Sequence, residues 1–209
     1  MKLAIFGATG RTGRPLVQQA LEAGHSVVAL VRTPEKMSLQ NEKLTLIAGD
    51  AMNAADVEKA VQGTDAVISV LGQSKNSPRD LQTVSIQNIV AAMQKYDVKR
   101  LISLTGAGVD APEDRPGPSN HLIKFALKTL SGHVLKDGEQ HAEVIKSSGL
   151  DWTIVRGPML TEGPHTGTYR VGWVGVNTGT RVSRADLADF MLKHLTDTTY
   201  VGKLPMISN

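Results

Sequence analysis

Short, continuously apolar runs alternate along this chain with stretches whose apolar residues recur every three or four positions. The first kind of pattern predicts strands buried on both faces, and the second predicts amphipathic helices. Helices are predicted after the first strand, around 57–61, and over 81–96 and 139–147. The alternation predicts one α/β domain over residues 1–209, Rossmann-like and doubly wound, with a mostly parallel sheet covered by helices on both faces. The predicted strands cover residues 3–6, 26–31, 44–47, 66–71, 100–104 and 152–155.

A glycine-rich turn directly follows the first of these strands. Residues 7–13 read Gly-Ala-Thr-Gly-Arg-Thr-Gly, and a helical pattern begins immediately after them. Glycines let the backbone turn sharply and approach a pyrophosphate, while a helix N-terminus offers unpaired N–H groups and a positive dipole end. The order of strand, turn and helix therefore predicts a dinucleotide site, with an ordinary strand–helix connection as the alternative.

The end of the second strand indicates which dinucleotide is bound. Proteins that choose NAD usually carry a carboxylate there, whereas this chain has Arg32, with Lys36 four residues later. A guanidinium pairs bidentately with a phosphate, so both cations are predicted to face the 2′-phosphate of NADP(H). A solvated basic turn is the alternative.

Further cofactor contacts are predicted at the carboxyl ends of successive strands, where open α/β sheets bind their ligands. The segment after the third strand is predicted to contact the adenine, and the segment after the fourth strand the pyrophosphate side. The segments after the fifth and sixth strands are predicted to contact the nicotinamide and its ribose. The whole predicted cofactor set is Gly7, Thr9, Gly10, Arg11, Thr12, Gly13, Arg32, Lys36, Asp50, Ala51, Leu71, Gly72, Gln73, Leu104, Thr105, Gly106, Pro158, Met159 and Leu160.

Two segments, 106–120 and 157–168, are the predicted substrate loops. The first is rich in glycine and proline and leaves the fifth strand, which is typical either of a lid or of a mobile surface loop. The apolar segment 121–130 that follows either walls a substrate pocket or, as the more frequent arrangement, packs onto the sheet. The candidate substrate contacts are His121, Phe125 and His165.

Composition narrows the function classes further. The 209 residues contain no cysteine, which excludes disulfides and a thiol nucleophile, and the six histidines form no close pair typical of a metal site. A net charge of +3 is too small an excess to predict a nucleic-acid partner. No apolar run approaches the ~20 residues of a membrane helix, and no signal segment opens the chain. We therefore expect a cytoplasmic protein with a small-molecule partner and no membrane partner. The oligomeric state stays open.

The tyrosines argue against the chemistry of ordinary short-chain dehydrogenases. Those enzymes place a lysine four residues after a tyrosine, which lowers the pKa of the phenol for proton exchange with the substrate. Here Tyr96, Tyr169 and Tyr200 are followed at that spacing by arginine, tryptophan and leucine. No residue is therefore predicted to be a catalytic acid or base.

Several segments resemble the atypical short-chain dehydrogenases/reductases of the NAD(P)H-binding, NmrA-like group. They are the glycine-rich turn and residues 30–32, 49–50, 148–156 and 183–188, so that the resemblance covers nearly the whole chain. Within the group, residues 4–10, 65–68 and 88–93 are most similar to flavin reductases of the biliverdin reductase B type. The resemblance implies NADPH-dependent hydride transfer to flavin-like, quinone-like or tetrapyrrole acceptors.

Two departures from the flavin reductases leave the acceptor open. Gly106 stands where those enzymes have a serine near the substrate, and Met159 stands where they have a histidine. Flavin reduction remains compatible with the sequence, because the cofactor carries the chemistry and solvent can supply the proton. The alternative is a non-catalytic NADP(H) sensor of the NmrA-like type, which binds a partner instead of a substrate.

Overall fold

The computed structural model describes residues 1–74 and 76–209, and ten strands and five α-helices are found there. The helices are α1 (Gly13–Glu22), α2 (Ala54–Val61), α3 (Leu81–Lys95), α4 (Pro118–Lys146) and α5 (Arg184–Lys193), with a short 3₁₀ helix at Pro34–Lys36. The strands are β1 (Lys2–Phe6), β2 (Ser26–Val31), β3 (Leu44–Ala48), β4 (Ala66–Ser69), β5 (Arg100–Gly106), β6 (Asp151–Gly157), β7 (Met159–Thr161), β8 (Arg170–Gly172), β9 (Arg181–Ser183) and β10 (Met206–Ser208).

Eight of these strands form one sheet in the order β3-β2-β1-β4-β5-β6-β10-β8. Every neighbouring pair is parallel except the last, in which β8 runs antiparallel to β10. The chain moves outward from β1 to β3 and then crosses to β4, so the strand order reverses between β1 and β4. Such a reversal is where doubly wound sheets bind ligands. The predicted fold class is confirmed.

The sheet separates two hydrophobic cores, which explains why its strands are continuously apolar. In β1, Leu3 and Ile5 pack with α1 and α5, whereas Ala4 and Phe6 pack with α2 and α3. Because side chains alternate between the faces of a strand, Leu3, Ala4, Ile5 and Phe6 are all buried, in one core or the other.

Helix α4 differs most from its prediction, because it begins at Pro118 instead of near residue 139. Its two halves meet at Ser131, whose φ of −143° and ψ of 34° are not helical. The prediction that the apolar segment 121–130 packs onto the sheet is wrong. Phe125 is 70% exposed and Leu130 is 82% exposed, so this half of the helix turns apolar side chains toward solvent.

Among the described residues, no helix combines the length and the apolar character that a bilayer crossing needs.

His141 lies on the second half of α4 and is only 3% exposed. Its Nε2 lies 2.8 Å from the hydroxyl of Ser103 on β5. Burial lowers the pKa of the imidazole to about 4, with the charge of Asp137 acting in the opposite direction. The side chain is therefore neutral at pH 7.

Replacing His141 with glutamine is expected to reduce the loss in the free energy of unfolding that occurs as the pH falls below 7. The unfolded chain binds a proton near pH 6.5, whereas the folded chain resists it until about pH 4, so wild-type stability falls as the pH falls between these values. The full loss is roughly 3 kcal/mol. Urea unfolding at pH 7, 5.5 and 4.5 measures it, with His133→Gln on the exposed side of α4 as the control. Equal pH dependence in wild type and His141→Gln would contradict the assignment.

Candidate functional site

A cleft of about 540 Å³ runs along the carboxyl edge of the sheet. It crosses the ends of β1 to β6 in turn, where the sequence predicted a cofactor. The predicted residues that line it are Gly7, Thr9, Gly10, Arg11, Thr12, Arg32, Asp50, Ala51, Leu71, Gly72, Gln73, Leu104, Thr105, Gly106, Pro158 and Leu160.

The glycine-rich turn owes its shape to close backbone approaches. Gly7 has a φ of +88°, and a Cβ there would lie 2.9 Å from the backbone of Val70. A Cβ on Gly13 would lie 2.1 Å from the carbonyl oxygen of Gly7, so this glycine packs α1 against the turn and does not line the cleft. Gly10 does line it, and a Cβ there would contact only the Gly7 oxygen, at 3.1 Å. Any side chain at Gly10 would therefore enter the cleft.

The N-terminus of α1 meets the cleft with its donors available. Thr12 at the cap makes no side-chain hydrogen bond to the helix, and the first turn contains no acidic residue. Within the described residues, the backbone N–H groups of residues 11–13 have no hydrogen-bond partner. Unpaired donors at the positive end of a helix dipole fit an anionic group such as a pyrophosphate.

The two cations predicted for the 2′-phosphate are separated by the structure. Arg32 lines the cleft at the end of β2 and makes no ion pair with a carboxylate of the described residues. Lys36 lies outside the cleft, because Pro34 starts a 3₁₀ turn that carries the chain away from the strand end. Its carbonyl oxygen accepts a hydrogen bond from Arg14 Nη2 at 2.7 Å, which ties this turn to the start of α1.

A second cavity, of about 830 Å³, adjoins the cleft. The loop after β5 forms one wall, and the inner face of α4 forms another with Ile123, Leu127 and Leu135. Both cavities share the ends of β5 and β6 as a common boundary. The residues that line both are Gln82, Thr105, Gly106, Val134, Gly157 and Pro158.

The remaining predicted site residues divide between this cavity and the outer surface. Met159, predicted at the nicotinamide, lines the second cavity and not the cleft, and His121 lines the second cavity as well. Phe125 lies on the outer side of α4 and is exposed, whereas Lys124 and Leu127 of the same helix line the cavity. His165 lies outside both cavities, with its Nε2 3.3 Å from Asp189 Oδ1. Of the predicted loop 157–168, only the first residues reach the site.

A buried ion pair holds the loop after β5 in place. Arg156 on β6 is 0% exposed, and its two terminal nitrogens each donate to one oxygen of Asp114 at 2.7 Å. It also donates to the carbonyl oxygen of Val109 at 2.9 Å. Burial alone would raise the pKa of Asp114, but the hydrogen bonds and charge of Arg156 outweigh it and hold that pKa below its usual value.

A comparison with protein families identifies the family of this chain. The sequence model of a protein family described as NAD(P)H-binding matches residues 7–198. This chain belongs to the NAD(P)H-binding family. The match begins at the glycine-rich turn and spans every strand end that borders the cleft.

Curated relatives of this NAD(P)H-binding chain have diverse descriptions. The photosystem II assembly factor Ycf39 of Synechocystis is 29% identical over 106 residues, which are 49% of this chain and 32% of that protein. An isoflavone reductase homologue of Nicotiana tabacum is 36% identical over 141 residues, which are 62% of this chain and 43% of the relative. The chain thus spans less than half the length of both.

Solved structures share the fold over the full chain. A short-chain dehydrogenase/reductase of Veillonella parvula in complex with NADP superposes with a TM-score of 0.79 at 22% identity, covering 100% of this chain and 94% of the other. ChuY of Escherichia coli O157:H7, described as an anaerobillin reductase, gives a TM-score of 0.81 at 20% identity. The superposition covers 100% of this chain and 97% of ChuY. At these identities the likeness concerns the fold.

Arg184 and Gln82 are among the cleft-lining residues of this NAD(P)H-binding protein that the sequence does not predict. Arg184, at the start of α5, donates to Glu162 at 2.7 Å and to the Leu160 carbonyl oxygen at 3.2 Å. Gln82, at the start of α3, lines both cavities, and its backbone N–H donates to the buried Asp137 of α4. The sequence around Arg184 shows a family resemblance, but its pattern does not indicate which side chain reaches the cleft.

None of the three tyrosines lines either cavity. The hydroxyl of Tyr169 instead donates to Asp189 at 2.8 Å, and burial together with that carboxylate raises the pKa of the phenol. A tyrosine held in its neutral form away from the site does not serve as a proton donor there.

Proposed function

We propose that this protein is an NADPH-dependent reductase that transfers a hydride to flavin-like, quinone-like or tetrapyrrole acceptors. One observation carries the proposal: the cleft and the larger cavity border each other at the ends of β5 and β6, where Thr105, Gly106, Gly157 and Pro158 line both. Hydride transfer needs direct contact between donor and acceptor, and the open space at Gly106 on this shared boundary leaves room for that contact.

Different residues of the cleft bind different parts of NADPH. The unpaired N–H groups of residues 11–13 bind the pyrophosphate, and Arg32 binds the 2′-phosphate as a guanidinium fork. The ends of β5 and β6 hold the nicotinamide against the second cavity. Arg184, which is fixed by Glu162, keeps the wall at Leu160 in position. When bound, NADPH supplies the hydride, so the protein contributes orientation and the exclusion of water.

The acceptor cavity suits a flat ring. Its walls are mostly apolar, and a Cβ added to Gly106 would meet no atom within 4 Å, so the space above the strand end is open. A flavin or quinone can take its proton from solvent after hydride transfer, which agrees with a site that has no tyrosine.

The test is NADPH oxidation, followed at 340 nm, with riboflavin or menadione as the acceptor. Gly106→Leu is expected to lower the rate at least about tenfold, because the added side chain occupies the space through which the rings approach one another. Gly132→Leu on α4 is the matched control, since Gly132 lines neither cavity and a Cβ there also meets no atom within 4 Å. We expect the control to keep most of the wild-type rate.

If no acceptor accelerates NADPH oxidation above the protein-free rate, the reductase proposal fails. A sensor, the other function that the sequence allows, would then be recognised by a partner whose affinity depends on NADP(H).

A further inference from the structure

The second cavity contains few charged groups, and each of them already has a counter-charge. Among its described lining residues, the ionised side chains are those of Asp110, Asp114 and Lys124, and His121 is the remaining titratable group. No arginine lines it. The charges and contacts of these side chains determine which acceptors the cavity can hold.

The charge of Asp114 is neutralised by Arg156, which lies on the side away from the cavity. Both of its carboxylate oxygens accept from Arg156 at 2.7 Å, and the backbone N–H groups of Ala111 and Val174 donate to it at 2.8 and 2.9 Å. Arg156 is fully buried behind this carboxylate and does not line the cavity. The pair therefore presents no free charge of either sign to an acceptor.

Lys124 is the lysine of the lining, and it is held by Asp110. Its Nζ lies 2.5 Å from Asp110 Oδ2, at the rim where the first half of α4 faces the loop after β5. The side chain of Lys124 is 37% exposed and that of Asp110 is 74% exposed. An anionic group that approaches this lysine must displace Asp110 or remain beside its negative charge.

Building on the proposed function, we propose that the acceptor is a neutral planar ring without phosphate or carboxylate groups, such as a quinone or an unphosphorylated flavin. A neutral ring is matched by the apolar walls and leaves both ion pairs intact. A flavin nucleotide or a carboxylated tetrapyrrole brings negative charge to a cavity whose cation is already paired, and the adjacent NADPH phosphates add to the repulsion.

Riboflavin and FMN provide a direct test, because they share the reducible ring and differ by one phosphate. We expect wild-type kcat/KM to be roughly fivefold higher for riboflavin, the scale of one partly exposed charge interaction. The same order of affinities is expected when the quenching of riboflavin or FMN fluorescence is titrated with the protein in complex with NADP⁺. Added salt should reduce the difference between riboflavin and FMN in both measurements, because salt screens exposed charges.

Asp110→Asn removes the counter-charge of Lys124, so it is expected to raise the FMN-to-riboflavin ratio several-fold in both measurements. Adding Lys124→Gln to that variant should return the ratio toward the wild-type value. Asp97→Asn is the control, since Asp97 forms a more exposed ion pair with Lys99 that lies outside both cavities. We expect this control to keep the wild-type ratio.

The two proposals fail in different ways. FMN used as well as or better than riboflavin by the wild type, or a ratio unmoved by Asp110→Asn, would overturn the neutral-acceptor inference and leave the reductase standing. An absence of NADPH oxidation with riboflavin, FMN and menadione would overturn the proposed function, and the inference with it.

Discussion

Replacing Arg156 with leucine is expected to lower the free energy of unfolding by roughly 3–5 kcal/mol, the cost of breaking a buried ion pair from one side. The substitution removes the two guanidinium donors of the Asp114 carboxylate and the donor to the carbonyl oxygen of Val109. It also removes the hydrogen bond to the Leu204 carbonyl oxygen at 2.8 Å, which joins β6 to the segment before β10.

Urea unfolding at pH 7 measures this loss, and a double-mutant cycle with Asp114→Val assigns it to the pair. The double variant is expected to lose less than the sum of the single losses, because neither charge is then left without its partner. Since the pKa of Asp114 is lowered in the folded state, the contribution of the pair is complete above the ordinary carboxyl range and is lost as the pH falls through that lowered pKa. A loss below about 1 kcal/mol in Arg156→Leu would show that the pair does not hold the loop.

Replacing Arg32 with alanine is expected to weaken NADPH binding by roughly tenfold to a hundredfold while NADH binding changes little. A charge-assisted hydrogen bond to a phosphate contributes about 1.5–3 kcal/mol, and only NADPH carries the 2′-phosphate. Titration calorimetry of both cofactors on wild type and variant measures the effect. The wild type is expected to prefer NADPH by a similar factor at low salt and by less at high salt, because Arg32 is exposed.

Lys36→Ala is the control for this prediction, because it removes a cation only four residues away that lies outside the cleft. We expect it to leave the ratio of the two affinities near the wild-type value. Equal weakening of NADPH and NADH by Arg32→Ala, or a larger loss from Lys36→Ala, would mean that the 2′-phosphate is bound elsewhere.

The parts of the site that the sequence predicted are those set by local backbone chemistry. The glycine-rich turn follows a strand, and the strand ends follow apolar runs, so the sequence alone is enough to assign residues such as Gly10 and Gly72 to the edge of a parallel sheet. The fold class follows from the same alternation of strand and helix.

The parts that the sequence missed depend on contacts between distant segments. The apolar pattern of residues 121–130 predicts a helix face but cannot say whether that face meets a sheet, a cavity or solvent. Gln82 is fixed by Asp137, 55 residues away along the chain. The strands β7 to β10 have three residues each, which is too short for a periodic pattern to emerge. Lys36 was misplaced because a spacing of four residues implies one helical turn, whereas Pro34 starts a 3₁₀ turn.

The most direct test of the central claim is single-turnover oxidation of NADPH that carries deuterium at one or the other face of nicotinamide C4. The protein complex with each labelled cofactor is mixed anaerobically with menadione, and the absorbance at 340 nm is followed. If the nicotinamide lies between the cleft and the second cavity, one face alone meets the acceptor. The oxidation should then be faster than without protein and slowed by deuterium at that face alone. Oxidation no faster than in protein-free solution, or equal slowing by deuterium at either face, would contradict the account.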